Sequence, residues 1–469
     1  MEPKPPQSLA PASTKRLLIA ILSTIALADF GLGLNTVVLP LYAKSLGASI
    51  ITIGLIIASF GFARIFVNIP ISIISKKLNS QYIHIGILSI FLGAVGYLLS
   101  TSYYQLFLFR FLEGFGSGII NTSSMIILTK RLYKEEKRAK VLSRYMIARR
   151  LSMGSAPFLG AVVAYEFSDK TAFLLYAIVM AAGLIIAFYN KKFLNGINNI
   201  NKTPLEDNGE NVKENIKIKT DKENNTLNSG IYKYGKNYIK TAGADKNADK
   251  IKNIDININY DKNSGMNTRK KYFSLLYNFN FIALCFLTFT FFFSRIGSRR
   301  ELVPLVGYSI MGLNKADIGL LVSISAVIGV VLTYYSDRVI NVMGVKKSII
   351  TSFIITAVGV LSFIIFKNLI SFGLSIILLS AGGGFSGPAR NLYLMDSVDK
   401  NRYDEAIGIY RTLSDFGFVL GPVAVGAVFD YFNYINAYSL VAFALIFATV
   451  LFGFFAKSYN ITNNSVVVD

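Results

Sequence analysis

Apolar runs of close to twenty residues recur along almost the whole chain, broken once by a long polar stretch. That length crosses a hydrocarbon core of about 30 Å. In lipid, an open chain satisfies its backbone polar groups only as continuous helix. Hydropathy and turn residues predict six spans near 16–43, 50–75, 82–101, 105–130, 140–166 and 171–190. Six more are predicted near 274–306, 314–338, 346–366, 369–396, 404–431 and 435–457. Only 16% of residues are charged, against roughly a quarter in soluble proteins. The expectation is an all-α membrane protein of twelve transmembrane helices. Residues 16–190 and 272–457 form two bundles, with tails at 1–15 and 458–469.

The interruption, 191–271, is rich in Asn and Lys, with one proline, Pro204, and no convincing apolar core. It reads as a largely disordered linker. The net charge of +21 could suggest nucleic acid, but its distribution argues for membrane topology instead. Basic residues collect in alternate short loops, including Lys76, Lys77, the run TKRLYKEEKRAKVLSR at 129–144, Arg338, Lys346 and Lys347. By the positive-inside rule those loops, both termini and the linker are cytoplasmic, in a multi-pass protein of the cell membrane. The N-terminus carries no small-residue cleavage site and reads as a tail. The single Cys285 excludes an intrachain disulfide, and with the single His84 it offers no metal site. No nucleophile–base set or phosphate-binding loop is present, so neither an enzyme nor a cofactor is expected.

The two flanks repeat each other. VVLPLYAKSLGASIITIGLIIASF at 37–60 and ELVPLVGYSIMGLNKADIGLLVSI at 301–324 share Pro-Leu, a glycine turn, then Ile-Gly-Leu opening the next helix. Pro40 therefore corresponds to Pro304 and Gly54 to Gly319, with one residue inserted. Lys137, Tyr145 and Pro157 recur with the same spacings as Arg402, Tyr410 and Pro422. Two matches in the same order indicate a six-plus-six duplication, a transporter architecture.

Several motifs carry a family resemblance. The loop after the eighth span has Ser336-Asp337-Arg338 and then Gly344-Val345-Lys346-Lys347. Its counterpart after the second span reads Ser75-Lys76-Lys77-Leu78-Asn79. The fourth span holds Arg110-Phe111-Leu112-Glu113-Gly114-Phe115-Gly116. The fifth and eleventh contain MGSAPFLGA, with Gly154 and Pro157, and FGFVLGPVAVGA, with Gly421 and Pro422. These resemble motifs of the major facilitator superfamily, most of all its proton-coupled drug and solute exporters. The resemblance implies the two-bundle fold and a cytoplasmic gate at Asp337, Arg338, Lys76 and Lys77. Lys76 stands where the family has Asp, which leaves Asp337 as the better latch. Gly154, Pro157, Gly421 and Pro422 would bend helices and serve gating.

Charges within the spans are the candidates for chemistry, because each is costly at bilayer depth. Glu113 lies at i+3 from Arg110 and is its expected partner. Asp29 sits midway through the first span. Desolvation favours its protonated form and a nearby cation opposes this, which makes Asp29 a proton-binding candidate with Arg110 or Arg64 setting its affinity; the family resemblance implies a proton-coupling role for Arg110, and Glu113 joins the set as its partner. The alternative is a static Asp29–Arg64 bridge. Arg149, Arg150, Arg295, Arg299, Arg300, Arg411, Arg64 and Arg110 outnumber Asp29, Glu113, Glu301 and Asp415. Arginine recognises carboxylate and phosphate bidentately, so Arg149, Arg150, Arg295, Arg411 and Asp415 are expected at a substrate cavity. A competing expectation has Arg299, Arg300 and Arg149 snorkelling or lining solvent.

Three functions follow. The first is a monomeric, alternating-access transporter of small organic solutes, working by proton-coupled efflux in the manner of drug/proton antiport. The second is a proton-coupled carrier of an organic anion, and the third a receptor that only borrows the fold. Sodium could replace the proton as coupling ion. The partners expected are a small-molecule substrate, protons and the lipid bilayer, with no nucleic acid.

Overall fold

The computed structural model describes residues 11–73, 81–126, 135–190, 275, 277–365, 369–398 and 402–458. The first half contains α1 (Pro11–Ser45), α2 (Ile50–Ile73), α3 (Gln81–Leu99), α4 (Tyr103–Ile126), α5 (Glu135–Glu166) and α6 (Asp169–Tyr189). The second contains α7 (Phe279–Ser309), α8 (Lys315–Tyr334), a short α9 (Ser336–Met343), α10 (Val345–Ile365), α11 (Leu369–Ser397), α12 (Tyr403–Tyr431) and α13 (Tyr434–Phe455). Among the described residues, ten of the twelve long helices are long and apolar enough to span a membrane. The other two, α4 and α5, are more polar because they carry Arg110 with Glu113 and Arg149 with Arg150.

Predicted and observed boundaries agree closely, with two informative differences. The eighth span stops at Tyr334, and Asp337 and Arg338 start the separate helix α9 instead of ending a long one. In α7 the middle stretch, Arg295–Leu302, is π-helical. A π turn takes up extra backbone inside a helix and is frequent at functional sites. Here it holds three arginines and Glu301.

Within the first half, α1 packs on α5 and α6, and α4 on α2 and α3. The glycines of the fourth-span motif explain the latter pair. A methyl at Gly114 would fall 2.7 Å from the Phe60 Cα of α2, and one at Gly116 would fall 3.0 Å from the Ile90 amide of α3. Small residues permit such approach where no hydrophobic effect drives helices together. Apolar side chains on the outside, such as Ile185, Phe188, Phe443 and Phe454, are exposed, as a lipid-facing surface requires.

The two halves meet along α2 with α12 and α5 with α8, and here the internal repeat becomes visible as geometry. A methyl at Gly54 would come within 2.5 Å of the Pro422 carbonyl oxygen, and one at Gly319 within 2.8 Å of the Pro157 oxygen. Each half thus lays a glycine of its second helix on the proline of the other half's fifth. The repeated glycine turns match as well: Gly47 and Gly312 both have positive φ, 88° and 67°, a conformation that costs glycine little. The start of α1 and the end of α13 lie on one face; the loops at 45–50, 166–169, 309–315 and 431–434 mark the far face.

Candidate functional site

Between the halves lies a cavity of ≈ 150 Å³, lined by α1, α5, α7, α8, α10 and α11. Arg150 of α5 and Arg295, Arg299 and Arg300 of the π segment line it, and none of the lining residues is acidic. Arg150 donates to Thr333 of α8, which itself donates to the Gly384 carbonyl at 3.0 Å. Arg299 donates to Ser325 Oγ at 3.1 Å. Arg300 lies over the Phe418 ring at 5.7 Å. Arg295 lies over Phe291 at 5.9 Å, within electrostatic range of Arg299, Arg300, Arg150 and Arg390. Four guanidinium groups in one low-dielectric space repel one another and attract a carboxylate or phosphate.

Arg390 is a member of this field that the sequence reading missed. Its residue is 4% exposed, and its guanidinium stacks 3.9 Å above Phe291, the ring that Arg295 also approaches. Its Nε donates to the Ser386 carbonyl at 3.1 Å, while Nη1 has no partner among the described residues. The available signal was a lone arginine after GGGFSGPA, inside a run otherwise apolar.

Other expected site residues sit elsewhere. Asp29 pairs with neither Arg64 nor Arg110. It accepts two bonds from Arg149, at 2.6 and 3.2 Å, because α1 packs on α5 while α2 is engaged by α4 and α12. Arg149 is therefore neutralised and absent from the cavity lining. Arg411 is exposed and Asp415 half-buried, and neither lines the cavity, since α12 faces α2 and α7. Arg64 lies 6.0 Å from the Phe418 ring. Gly154 and Pro157 line the cavity, whereas Gly421 and Pro422 press against α7 and α2.

Arg110 donates to Glu113, but the carboxylate has other partners too. Asn35 donates to it at 2.9 Å, Tyr97 at 2.8 Å and Tyr176 at 2.6 Å. Four donors from α1, α3, α4 and α6 thus converge on one fully buried acid. Such a saturated cluster ties the bundle together and leaves the carboxylate no free lone pair to exchange. Arg110 also lies 4.6 Å above Phe60, which stacks on Phe418 across the halves at 5.8 Å.

Several polar contacts between the halves lie at the far face. Lys315 pairs with Asp169 at 2.6 Å, and Lys44 donates to Ser309 at 2.6 Å. The Asp430 carboxylate of α12 accepts from the Ile50 and Ile51 amides at 3.1 and 2.7 Å, capping α2, where negative charge is favoured. Asp337, the expected latch, is exposed in the first turn of its own helix α9. Arg338 rests 5.3 Å over Tyr335. Lys76 and Lys77 lie outside the described residues.

A family model described as Major Facilitator Superfamily matches residues 21–339 and 284–465. An uncharacterized MFS-type transporter, MJ1560, of Methanocaldococcus jannaschii is 21% identical over 428 residues, covering 90% of this chain and 92% of the relative. A probable vesicular acetylcholine transporter-B of Danio rerio is 28% identical over 198 residues, 39% of either chain. Among solved structures, a POT family transporter in complex with 5-aminolevulinic acid superposes with a TM-score of 0.65 at 14% identity, covering 94% of this chain and 96% of its own. A mutant form of the nucleoside transporter NupG gives a TM-score of 0.61 at 15% identity, over 94% of this chain and 100% of its own.

Proposed function

The chain belongs to the Major Facilitator Superfamily and is a multi-pass membrane transporter, not an enzyme, and from that premise we propose that it carries a small organic anion by alternating access. The observation that supports this most is the cavity between the halves, with four arginines and no acid among its lining residues. An anion entering it exchanges water for several charge-assisted hydrogen bonds, each roughly twice as strong as a neutral one. A cation would add to a field that is already positive. Proton-coupled drug efflux, which the resemblance to exporters suggested, has less support. Its expected acid, Asp29, is held by Arg149, and Glu113 is saturated.

Alternating access is supported by where the halves touch. The Lys315–Asp169 pair and the Asp430 cap close the far face. With the basic loops cytoplasmic, this arrangement is the one closed to the outside. The purified protein should be stabilised against heat by anionic solutes in a panel of equal-sized anions, zwitterions, neutral compounds and cations. Binding adds stability that grows with ligand concentration over its Kd. Stabilisation confined to the cations would count against the anion cavity.

A further inference from the structure

The positive charge around the cavity exceeds what a single anionic group can offset. Arg299, Arg300, Arg150 and Arg390 all lie in electrostatic range of Arg295, and none of the described lining residues is acidic. Glu113 is in range of Arg300, but its carboxylate is already held by Arg110, Asn35, Tyr97 and Tyr176. Glu301, on the same π segment, is fully buried and absent from the lining. A methyl on Gly54 of α2 would lie 2.7 Å from its Oε1, which places that carboxyl in the seam where α2 meets α12. One negative charge from a solute therefore leaves most of the field uncompensated.

The donors fall into two groups, one on each half. On the second half, Ser294 of α7 and Ser380 of α11 line the cavity with Arg295. The two serines are 1% and 4% exposed, and their hydroxyls have no partner among the described residues. Arg390, whose Nη1 also lacks one, stacks on the same Phe291 ring that Arg295 approaches. Buried donors without acceptors are costly, and a ligand that accepts from them removes that cost. On the first half, Arg150 is the one charged residue among the described lining residues. It reaches across to Thr333 of α8, and its Nη2 would lie 3.6 Å from a methyl on Gly387 of α11.

Size restricts the occupant further. The cavity of ≈ 150 Å³ equals about five water volumes and falls below the ~300–1,000 Å³ of sites for drug-sized ligands. We infer that the solute is a short dianion with two separate acidic groups, one held by Arg295 with Ser294 and Ser380, the other by Arg150 of the opposite half. The inference deepens the anion reading above and rests on it. Each acidic end meets a guanidinium, the partner that a carboxylate accepts from bidentately.

The test is isothermal titration of the purified full chain in lipid nanodiscs with malonate, succinate and glutarate. Each is compared with its half-amide, which keeps the length and carries one charge. The dicarboxylate whose length fits should bind about tenfold to a hundredfold more tightly than its half-amide, the range that hydrogen bonds to a charged group contribute. Arg295→Gln should weaken both members of that pair, and Arg150→Gln should weaken the dicarboxylate far more than the half-amide. Three pairs that each bind equally overturn the inference and leave the anion reading standing, a result that needs no variant. An advantage that Arg150→Gln leaves unchanged overturns it as well. If all six compounds fail to bind while other anions stabilise the protein, the inference falls alone. If no anion of any kind binds, the anion reading falls and the inference with it.

Discussion

Replacement of Arg295 by glutamine is expected to weaken binding of an anionic solute by about 30-fold to a few thousand-fold, the loss of ~2–5 kcal/mol that follows truncation of one partner of a buried, hydrogen-bonded charge pair. Arg295 is chosen because it stands in the middle of the field, within range of four other guanidinium groups. Among the described residues, no carboxylate lines the cavity to compete for it. Removal of one positive charge also relieves repulsion among the rest, so the variant should fold as well as the parent or better. Isothermal titration with the anion that best stabilises the parent measures the effect. Arg149→Gln separates the possibilities. Arg149 is engaged by Asp29, so its loss should not reproduce the binding defect of Arg295→Gln.

The second large effect concerns stability. Glu113→Ala should cost ~3–5 kcal/mol, as when one member of a buried ion pair is removed and its partner left uncompensated. Arg110 would be stranded, together with the donors of Asn35, Tyr97 and Tyr176. Because these come from four helices, the loss should fall on the whole first bundle. Thermal unfolding in detergent should show a large drop in Tm, with Glu113→Gln between parent and alanine variant. Glutamine still accepts hydrogen bonds but leaves the guanidinium unneutralised. An unchanged Tm in Glu113→Ala would contradict the tie across α1, α3, α4 and α6.

The fold was legible because lipid imposes a length and an apolar composition on every span. The duplication was legible because close helix contact needs particular small residues at fixed places. Gly54 and Gly319, matched by their frames, pack on Pro422 and Pro157 in the same way. Pairing between helices was not legible. Asp29, Arg64, Arg110 and Arg149 all stood out as buried charges, but which of them meet depends on the rotation of each helix about its axis. Burying α1 against α5 selected Arg149. The cavity was half visible: Arg150 and Arg295 line it, and so do Arg299 and Arg300, for which snorkelling was the competing expectation. Arg390 was missed as a single charge in an apolar run, although its stacking on Phe291 gives it a place in the same field. The π turn left no mark that periodicity could register, yet it is what presents three arginines to the cavity while turning Glu301 into the seam.

Carriage of an anion through the arginine-lined cavity is measured as transport currents from proteoliposomes on a solid-supported membrane. The same panel of anionic, zwitterionic, neutral and cationic solutes would be applied by rapid exchange. Anionic members should give currents that disappear in Arg295→Gln. Currents confined to cationic or neutral members, or undiminished anion currents in Arg295→Gln, would contradict anion carriage through this cavity.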